Sequence, residues 1–254
     1  MGSKNRIAKE ILPIMLKERG QRTWVEPFVG GANMIDKVQG ERIGADLNEY
    51  VIALLNEMSK PTFIAPAISE EKYNDLKLNK GVYEKWIVGY AGTQLSFGAT
   101  WFGSYRRDNL GKRNYCLEAQ TNVNKQSKNL QGVEFIHSSY DSLEVPENSF
   151  IYCDPPYQTE ATKGKYKDDF NHERFWQWCR DMATKGHIVY VSEYNAPADF
   201  ECVWQKEINQ RMNNNVETSK AVEKLRIYLV TCWCGLFSGI LILKRKENLK
   251  SFRV

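Results

Sequence analysis

Two kinds of hydrophobic pattern alternate along the chain. Near the N-terminus, Ile7, Ile11, Ile14 and Met15 recur at helical spacing, and this pattern ends near Gly20. Further along, short apolar runs bounded by turn residues are typical of buried strands, and helical stretches separate them. Strands that alternate with helices in this way are typical of βαβ winding, so the pattern predicts an α/β fold with a largely parallel sheet.

The elements fall into two regions of different character. Strands are predicted at 23–25, 42–45, 133–137, 150–153, 187–192 and 225–230, and helices at 7–20, 48–58, 70–79, 82–92 and 171–184. Between the early and late strands, two helical stretches lead into a segment rich in Gly, Tyr, Trp and Arg without a clear period. We therefore predict a sheet domain formed by residues 1–59 and 133–254, with an insert at 60–132.

The C-terminal tail has an uncharged run of 17 residues, 227–243, followed by Lys244, Arg245 and Lys246. A run of this length with basic flanking residues is at the lower limit for a membrane anchor. Its Gly, Ser, Thr and β-branched residues favour two core strands joined near 237–239 instead. Membrane association is therefore not expected.

The charge of the chain is concentrated in one segment. With 254 residues, 42% hydrophobic and 26% charged, the composition excludes a disordered or fibrous protein. The net charge is +4, and residues 101–130 alone carry +4, from the basic residues Arg106, Arg107, Lys112, Arg113, Lys125 and Lys128 against the acids Asp108 and Glu118. Such a patch indicates either contact with a polyanion or a solvated surface segment.

The cysteines and histidines support no metal site or hydrolase triad. The six cysteines are scattered without a C-x-x-C pair, which argues against a zinc site or a disulfide framework. None of the three histidines has a Ser or Cys partner at a recognisable spacing. Charged residues near the N-terminus stand where a signal peptide needs an apolar core, so a reduced, cytoplasmic protein is expected.

An acidic residue, Asp154, stands where the apolar run 151–153 ends, and two prolines and Tyr157 follow it. Open α/β sheets bind ligands at the carboxyl ends of their strands. Because prolines have no N–H group, this turn presents acceptors, the Asp154 carboxylate and the Pro155 carbonyl, beside the flat Tyr157 ring. Such a set suits a planar ligand with an amino group, for example a nucleobase, whereas a rigid structural turn is the alternative.

A glycine turn, residues 28–33, follows the first predicted strand and is neither a dinucleotide fingerprint nor a phosphate-binding loop. Its glycines would allow a ligand to approach the backbone. Asp46 ends the second strand, where an acid can accept hydrogen bonds from ribose hydroxyls, although Asp is also common at a helix N-terminus.

Taken in order, these segments resemble the Dam-type, D12 class of DNA adenine-N6 methyltransferases. The resemblance covers about residues 1–228 and rests on five segments: Gly2-Ser3-Lys4-Asn5-Arg6, 26–31, Ala45-Asp46-Leu47-Asn48, Asp154-Pro155-Pro156-Tyr157 and 101–107, which looks like the target-recognition segment. It implies a Rossmann-like, seven-stranded S-adenosylmethionine-dependent methyltransferase sheet with an inserted, largely helical target-recognition region. It also implies a bacterial or phage enzyme that acts on double-stranded DNA without a metal, and we expect a monomer.

The resemblance assigns roles to individual residues. The cofactor S-adenosylmethionine would be bound by Gly2, Ser3, Lys4, Glu26, Phe28, Gly30, Asp46, Ser139, Tyr140 and Asp154. Catalysis would rest on Asp154, Pro155, Pro156 and Tyr157, and DNA contact on Tyr105, Arg106, Arg107, Lys112 and Arg113. Family members tend to have Gly-Asp and an aromatic residue where this chain has Ser138-Ser139-Tyr140, so the usual acceptor for the cofactor's adenine amine is replaced.

The implied reaction is methyl transfer to N6 of an adenine that is flipped out of the duplex. Three alternatives remain open at this stage. The same turn could methylate a base in RNA or a glutamine amide in a protein, although the glutamine enzymes normally have Asn at the position of Asp154. The chain could also be a catalytically inactive DNA-binding relative. A role in restriction–modification, phage protection or regulation is not decided by the sequence.

Overall fold

A computed structural model describes residues 4–108, 110–157, 170–210 and 219–228 and shows a mixed α/β fold. The strands are β1 (Trp24–Glu26), β2 (Arg42–Asp46), β3 (Val133–His137), β4 (Phe150–Cys153), β5 (Ile188–Ser192), β6 (Phe200–Gln210) and β7 (Ser219–Tyr228). They form a seven-stranded sheet in the order β3-β2-β1-β4-β5-β7-β6. The predicted fold class, α/β with a seven-stranded sheet, is confirmed.

The helices are α1 (Ala8–Arg19), α2 (Glu49–Met58), α3 (Glu70–Leu78), α4 (Lys85–Gln94), α5 (Tyr115–Leu130) and α6 (His172–Thr184). The described residues divide into two compact units by contacts within the chain: those within 1–9 and 23–144 form the first unit, and those within 10–22 and 145–254 form the second. The proposed domain boundaries at 59 and 132 stay a prediction.

In the first unit, β1 and β3 both pair with β2 in parallel. Glu26 lies opposite Gly44, and Asp46 lies opposite His137. Because the three strands run in the same direction, their carboxyl ends lie at one edge of this part of the sheet. Glu26 and Asp46, for which cofactor contacts were predicted, end β1 and β2 at that edge.

The helices α2 and α4 pack against each other in the first unit at close range. Asn48 caps α2, since its side chain accepts hydrogen bonds from the N–H groups of Tyr50 and Val51. A Cβ at Gly89 of α4 would lie 2.2 Å from the carbonyl oxygen of Tyr50, so only glycine allows the helices to come this close.

The helix α5 lies in the part of the insert where the sequence showed no clear period. Asn114 caps it, and its buried stripe is narrow and weakly apolar: Ala119, Val123, Ser127 and Leu130. Polar residues fill the rest of its surface, which is why hydrophobic periodicity did not reveal it. With α3, α4 and α5, the segment 60–132 is largely helical, as expected.

In the second unit, β4 pairs in parallel with β5, while β7 runs antiparallel to both β5 and β6. The helix α6 buries Phe175, Trp176, Cys179 and Met182 along one face. The strand β6 was not predicted, and β7 begins at Ser219, earlier than expected. The tail from residue 229 onwards, for which two core strands were predicted, lies outside the described residues. No helix in the described part of the chain is long and apolar enough to span a membrane.

Candidate functional site

The carboxylate of Asp46, at the end of β2, is held by two backbone N–H groups. Gly30 donates to Oδ2 over 3.0 Å, and Asn48 donates to Oδ1 over 2.9 Å. Burial raises the pKa of Asp46, and these two hydrogen bonds partly offset the effect. An ionised carboxylate has about four acceptor positions, so each oxygen keeps a position for a ligand hydroxyl.

The glycine turn is positioned to make this contact. The N–H of Val29 donates to the carbonyl of Ala45 over 2.8 Å, which fastens the turn to β2. Gly30 has a φ of +47°, in the left-handed region that glycine adopts without steric cost. Space is open where a Cβ would stand, so the backbone here is accessible to a ligand. Gly30 and Asp46, which were predicted separately as cofactor residues, are therefore joined by a direct hydrogen bond.

Two predicted cofactor residues of the first unit are buried charges. Glu26 is 3% exposed, and Nε1 of Trp24 donates to its Oε1 over 2.7 Å, so the indole fixes the carboxylate at the end of β1. Lys4 is 7% exposed and begins a short 3₁₀ turn, Lys4–Arg6. Gly2 and Ser3 lie outside the described residues, and their predicted role stays a prediction.

Two aromatic residues that are distant in the chain stack in the first unit. The ring centroids of Phe28 and Tyr140 are 5.4 Å apart and the ring planes differ by 27°. Beside them, Oγ of Ser139 donates to Oδ1 of Asp141 over 2.6 Å. Ser139 was predicted to stand in place of the family's acidic residue, whereas Asp141 was not among the predicted site residues. The structure places a carboxylate in hydrogen-bond contact with Ser139.

In the second unit, the turn 154–157 follows a fully buried strand. All four residues of β4 are buried, and the hydroxyl of Tyr152 shares a 2.8 Å hydrogen bond with that of Ser192 in β5. Asp154, directly after the strand, is half-buried, and Pro155 is buried. The rigid strand therefore fixes the position from which Asp154 and the prolines extend.

The side chain of Tyr157 is held by two residues that the sequence did not reveal. Its hydroxyl donates to Oε2 of Glu223 over 3.0 Å, and its ring meets that of Tyr194 edge-on, with centroids 4.5 Å apart. Burial, followed by the charges of Asp154 and Glu223, raises the pKa of Tyr157 well above its usual value. The phenol is thus a neutral donor at physiological pH.

Glu223 and Tyr194, the two partners of Tyr157, lie on or directly after strands of the second unit. Glu223 is 7% exposed on β7, where nothing in the local pattern distinguishes it from a surface strand residue. Tyr194 follows β5, and its carbonyl accepts a 3.0 Å hydrogen bond from Arg226. An aromatic residue just beyond a strand end is a signal that could have pointed to Tyr194, since ligands bind at such ends.

Three of the five predicted DNA-contact residues use their polar groups within the insert. The hydroxyl of Tyr105 donates to the carbonyl of Ile68 over 2.8 Å. Arg107 forms an ion pair with Glu70, and Arg113 binds both carboxylate oxygens of Glu118. These ion pairs are exposed, and exposed pairs contribute little to stability, so the arginines remain available to phosphates.

Arg106 and Lys112 form no salt bridge in the described part of the insert, although the pKa of Glu118, lowered chiefly by its hydrogen bond with Arg113, is also lowered by the charge of Arg106. The guanidinium carbon of Arg106 lies 4.7 Å from the centroid of the Tyr115 ring, a cation–π contact. The N–H of Lys112 donates to the carboxylate of Asp108, which also accepts from the N–H groups of Leu110 and Arg113. Within the part of the chain that the structure describes, Arg107 and Arg113 of this set are thus held in salt bridges, whereas Arg106 and Lys112 are not.

Among the described residues, no group of three or more His, Cys, Asp or Glu side chains is arranged to hold a metal ion.

Comparison with known proteins identifies a family that matches most of the chain. The family described as D12 class N6 adenine-specific DNA methyltransferase matches residues 1–85 and 93–219. That range includes both the glycine turn with Asp46 and the turn 154–157.

Two curated proteins and one solved structure are similar to this chain. Type II methyltransferase M.FokI of Planomicrobium okeanokoites is 26% identical over 208 residues, which cover 71% of this chain and 31% of that protein. Type II methyltransferase M.MjaIII of Methanocaldococcus jannaschii is 25% identical over 238 residues, covering 76% of this chain and 82% of that protein. An rRNA methylase from Streptococcus thermophilus aligns with a TM-score of 0.34 at 7% identity, over 90% of this chain and 99% of that one. The chain thus spans about a third of the length of M.FokI.

Proposed function

The chain belongs to the D12 class of N6 adenine-specific DNA methyltransferases, and from this premise we propose that it transfers a methyl group to N6 of an adenine in duplex DNA. The family that the sequence motifs predicted is confirmed by this membership. The observation that carries the proposal for this chain is the turn Asp154-Pro155-Pro156-Tyr157, fixed by the buried strand β4 on one side and by Glu223 on the other.

Asp154 and Pro155 provide what the chemistry of an adenine amine requires. The N6 lone pair is delocalised into the ring, so the amine is a poor nucleophile. Hydrogen bonds from N6 to the Asp154 carboxylate and the Pro155 carbonyl would localise that lone pair on nitrogen. Because both acceptors are fixed by the strand, they need no reorganisation during the reaction.

Tyr157 would hold the base. An adenine inside a duplex is inaccessible and has to be flipped out, and flipped bases are typically stacked on aromatic side chains. The hydrogen bond to Glu223 and the edge contact with Tyr194 fix the plane of the Tyr157 ring. A ring fixed in this way can orient the amine with respect to Asp154.

The residues of the first unit fit S-adenosylmethionine, which supplies an electrophilic methyl group on a sulfonium. Asp46 keeps acceptor positions for two ribose hydroxyls beyond its two backbone hydrogen bonds. The stacked rings of Phe28 and Tyr140 offer an aromatic surface to a planar adenine ring. Asp141, in contact with Ser139, would accept from the adenine amine in place of the acid that the family usually has there.

The names of the similar proteins support the biological role that we propose. Both similar curated proteins are named Type II methyltransferases, which supports a role in restriction–modification. Cytoplasmic location, a phage origin and a monomeric state stay predictions. DNA would be gripped by the basic residues of the insert, chiefly through phosphates.

Methyl transfer from labelled S-adenosylmethionine to unmethylated duplex DNA, to RNA and to a glutamine-containing peptide tests the proposal directly. We expect label only in the duplex, with digestion yielding N6-methyladenine, and no label with Asp154→Ala. Label in RNA or peptide alone would establish one of the alternative substrates. Duplex binding without any transfer would identify a catalytically inactive relative.

A further inference from the structure

The insert contains an open pocket of about 420 Å³ that lies wholly within the first unit. Its walls are the end of α4 at Thr93 and Gln94, the turn 96–98, Arg106, and Tyr115 at the start of α5. The volume is within the range of sites for small organic ligands. None of the catalytic or cofactor residues discussed above belongs to it.

The turn 96–98 and Arg106 are held firmly by the surrounding backbone. The N–H of Arg106 donates to the carbonyl of Leu95 over 2.9 Å, and the N–H of Phe97 donates to the carbonyl of Ser104 over 2.8 Å. Beneath them, the hydroxyl of Ser96 shares a 2.7 Å hydrogen bond with that of Tyr73. The side chains that line the pocket are therefore presented from a rigid base.

Three side chains at this pocket have the chemistry of nucleotide recognition. Phe97 is 70% exposed, which leaves its ring available for stacking. Nε2 of Gln94 donates to the hydroxyl of Thr93 over 3.2 Å, so one further N–H and the carbonyl oxygen of the amide remain. Arg106 brings a positive charge to the pocket beside the Tyr115 ring.

We propose that this pocket binds one nucleobase of the DNA substrate, a base other than the adenine that is methylated. This inference rests on the proposed function, since it names where that DNA is read. Phe97 stacks on the base, Gln94 pairs with its edge, and Arg106 contacts the adjacent phosphate. The remaining donor and acceptor of Gln94 match N7 and N6 of adenine, so adenine is the preferred base.

Duplex binding of the whole protein tests this site independently of methyl transfer. Phe97→Ala should weaken binding of a fluorescent duplex about five- to hundredfold, as expected when one stacked base is lost, and Phe97→Trp should restore it. Gln94→Leu keeps the side-chain bulk and removes the edge contact. Leu78→Ala, which truncates another exposed apolar side chain of the insert (80% exposed), is the matched control and should bind as the wild type does.

Sequencing of plasmid DNA from expressing cells then shows which base is read. With Gln94→Leu, methylation should spread to sites that differ from the wild-type recognition sequence at one position. If both Gln94→Leu and Phe97→Ala keep the wild-type affinity and sites, the pocket is not a base site, while the proposed function stands.

Failure of the proposed function can be distinguished from failure of the pocket proposal. A wild-type protein that binds duplex through Phe97 but transfers no methyl group would support the pocket and overturn the proposed function. A wild-type protein that neither binds duplex nor methylates it would overturn both. Circular dichroism and thermal unfolding, compared with Leu78→Ala, show whether each variant is folded.

Discussion

The hydroxyl of Tyr157 donates a hydrogen bond to Oε2 of Glu223, with 3.0 Å between the two oxygens. This bond fixes the turn that follows β4 to a buried position on β7, a strand that is remote from the turn in the sequence. The Tyr157 ring, which we propose stacks on the flipped base, is thus oriented by Glu223, a residue outside the turn 154–157.

Glu223→Ala should therefore lower turnover while leaving cofactor affinity unchanged. Loss of the acceptor frees the Tyr157 ring, and misplacement of a substrate by about 1 Å can cost about 10²-fold in rate. Glu223→Gln keeps an acceptor oxygen and should recover most of the activity. Steady-state kinetics would separate the effects, with kcat falling more than the affinity for DNA. Equal losses in the Ala and Gln variants would argue against a positioning role.

Asp154→Ala should abolish methylation with the fold intact. The carboxylate is the principal acceptor for N6, and loss of one such contact is expected to cost at least ~10²-fold in kcat. Asp154→Asn keeps one acceptor oxygen and should be impaired less. Single-turnover methylation of duplex DNA measures both, and turnover of Asp154→Ala close to that of the wild type would end the mechanism proposed here.

Asp46→Ala should weaken binding of S-adenosylmethionine more than it lowers turnover at saturating cofactor. A ribose contact is made equally in the ground state and the transition state, so it contributes uniform binding. Loss of hydrogen bonds to a charged group, at about 1.5–3 kcal/mol, corresponds to a Kd about 10- to 150-fold higher. Calorimetric titration with the cofactor provides the measurement, and an unaltered Kd would remove Asp46 from the site.

Glu70→Ala should strengthen DNA binding. The Glu70 carboxylate neutralises Arg107 in an exposed ion pair, and release of the arginine adds a cation to the basic surface of the insert. An exposed pair contributes at most about 1 kcal/mol, so a rise of about two- to fivefold is expected at low salt. Glu71→Ala removes the same charge from a neighbouring exposed position and serves as the control. Salt titrations that give the same affinity for Glu70→Ala and Glu71→Ala would show that Arg107 does not contact DNA.

Gly89→Ala should destabilise the first unit. The new Cβ would lie 2.2 Å from the carbonyl oxygen of Tyr50, so α2 and α4 would have to move apart. Overpacking of this kind typically costs about 1–3 kcal/mol. Gly81→Ala meets no atom within 4 Å and should leave the free energy of unfolding nearly unchanged. Urea denaturation of both variants measures the difference.

The sequence by itself determined the strands that end at Asp46 and Cys153, and the helices α2 and α6. Each of these elements buries a strongly apolar face, so local periodicity reports it. The hydrophobic pattern did not reveal α5, because its buried stripe is weakly apolar. It also did not reveal β6, in which polar residues interrupt the apolar ones and which is stabilised by pairing with β7. Elements stabilised by tertiary contacts leave little trace in local hydrophobicity.

For the candidate site, the sequence located Gly30, Asp46 and Asp154, because glycine turns and acids at strand ends have local signatures. The contact of Ser139 with Asp141, the stacking of Phe28 on Tyr140 and the bond from Tyr157 to Glu223 were decided only by the tertiary structure. Strand register and loop conformation determine which side chains meet, and neither is encoded in the spacing of hydrophobic residues. A buried acid such as Glu223 looks, in the sequence, like any exposed residue of a strand.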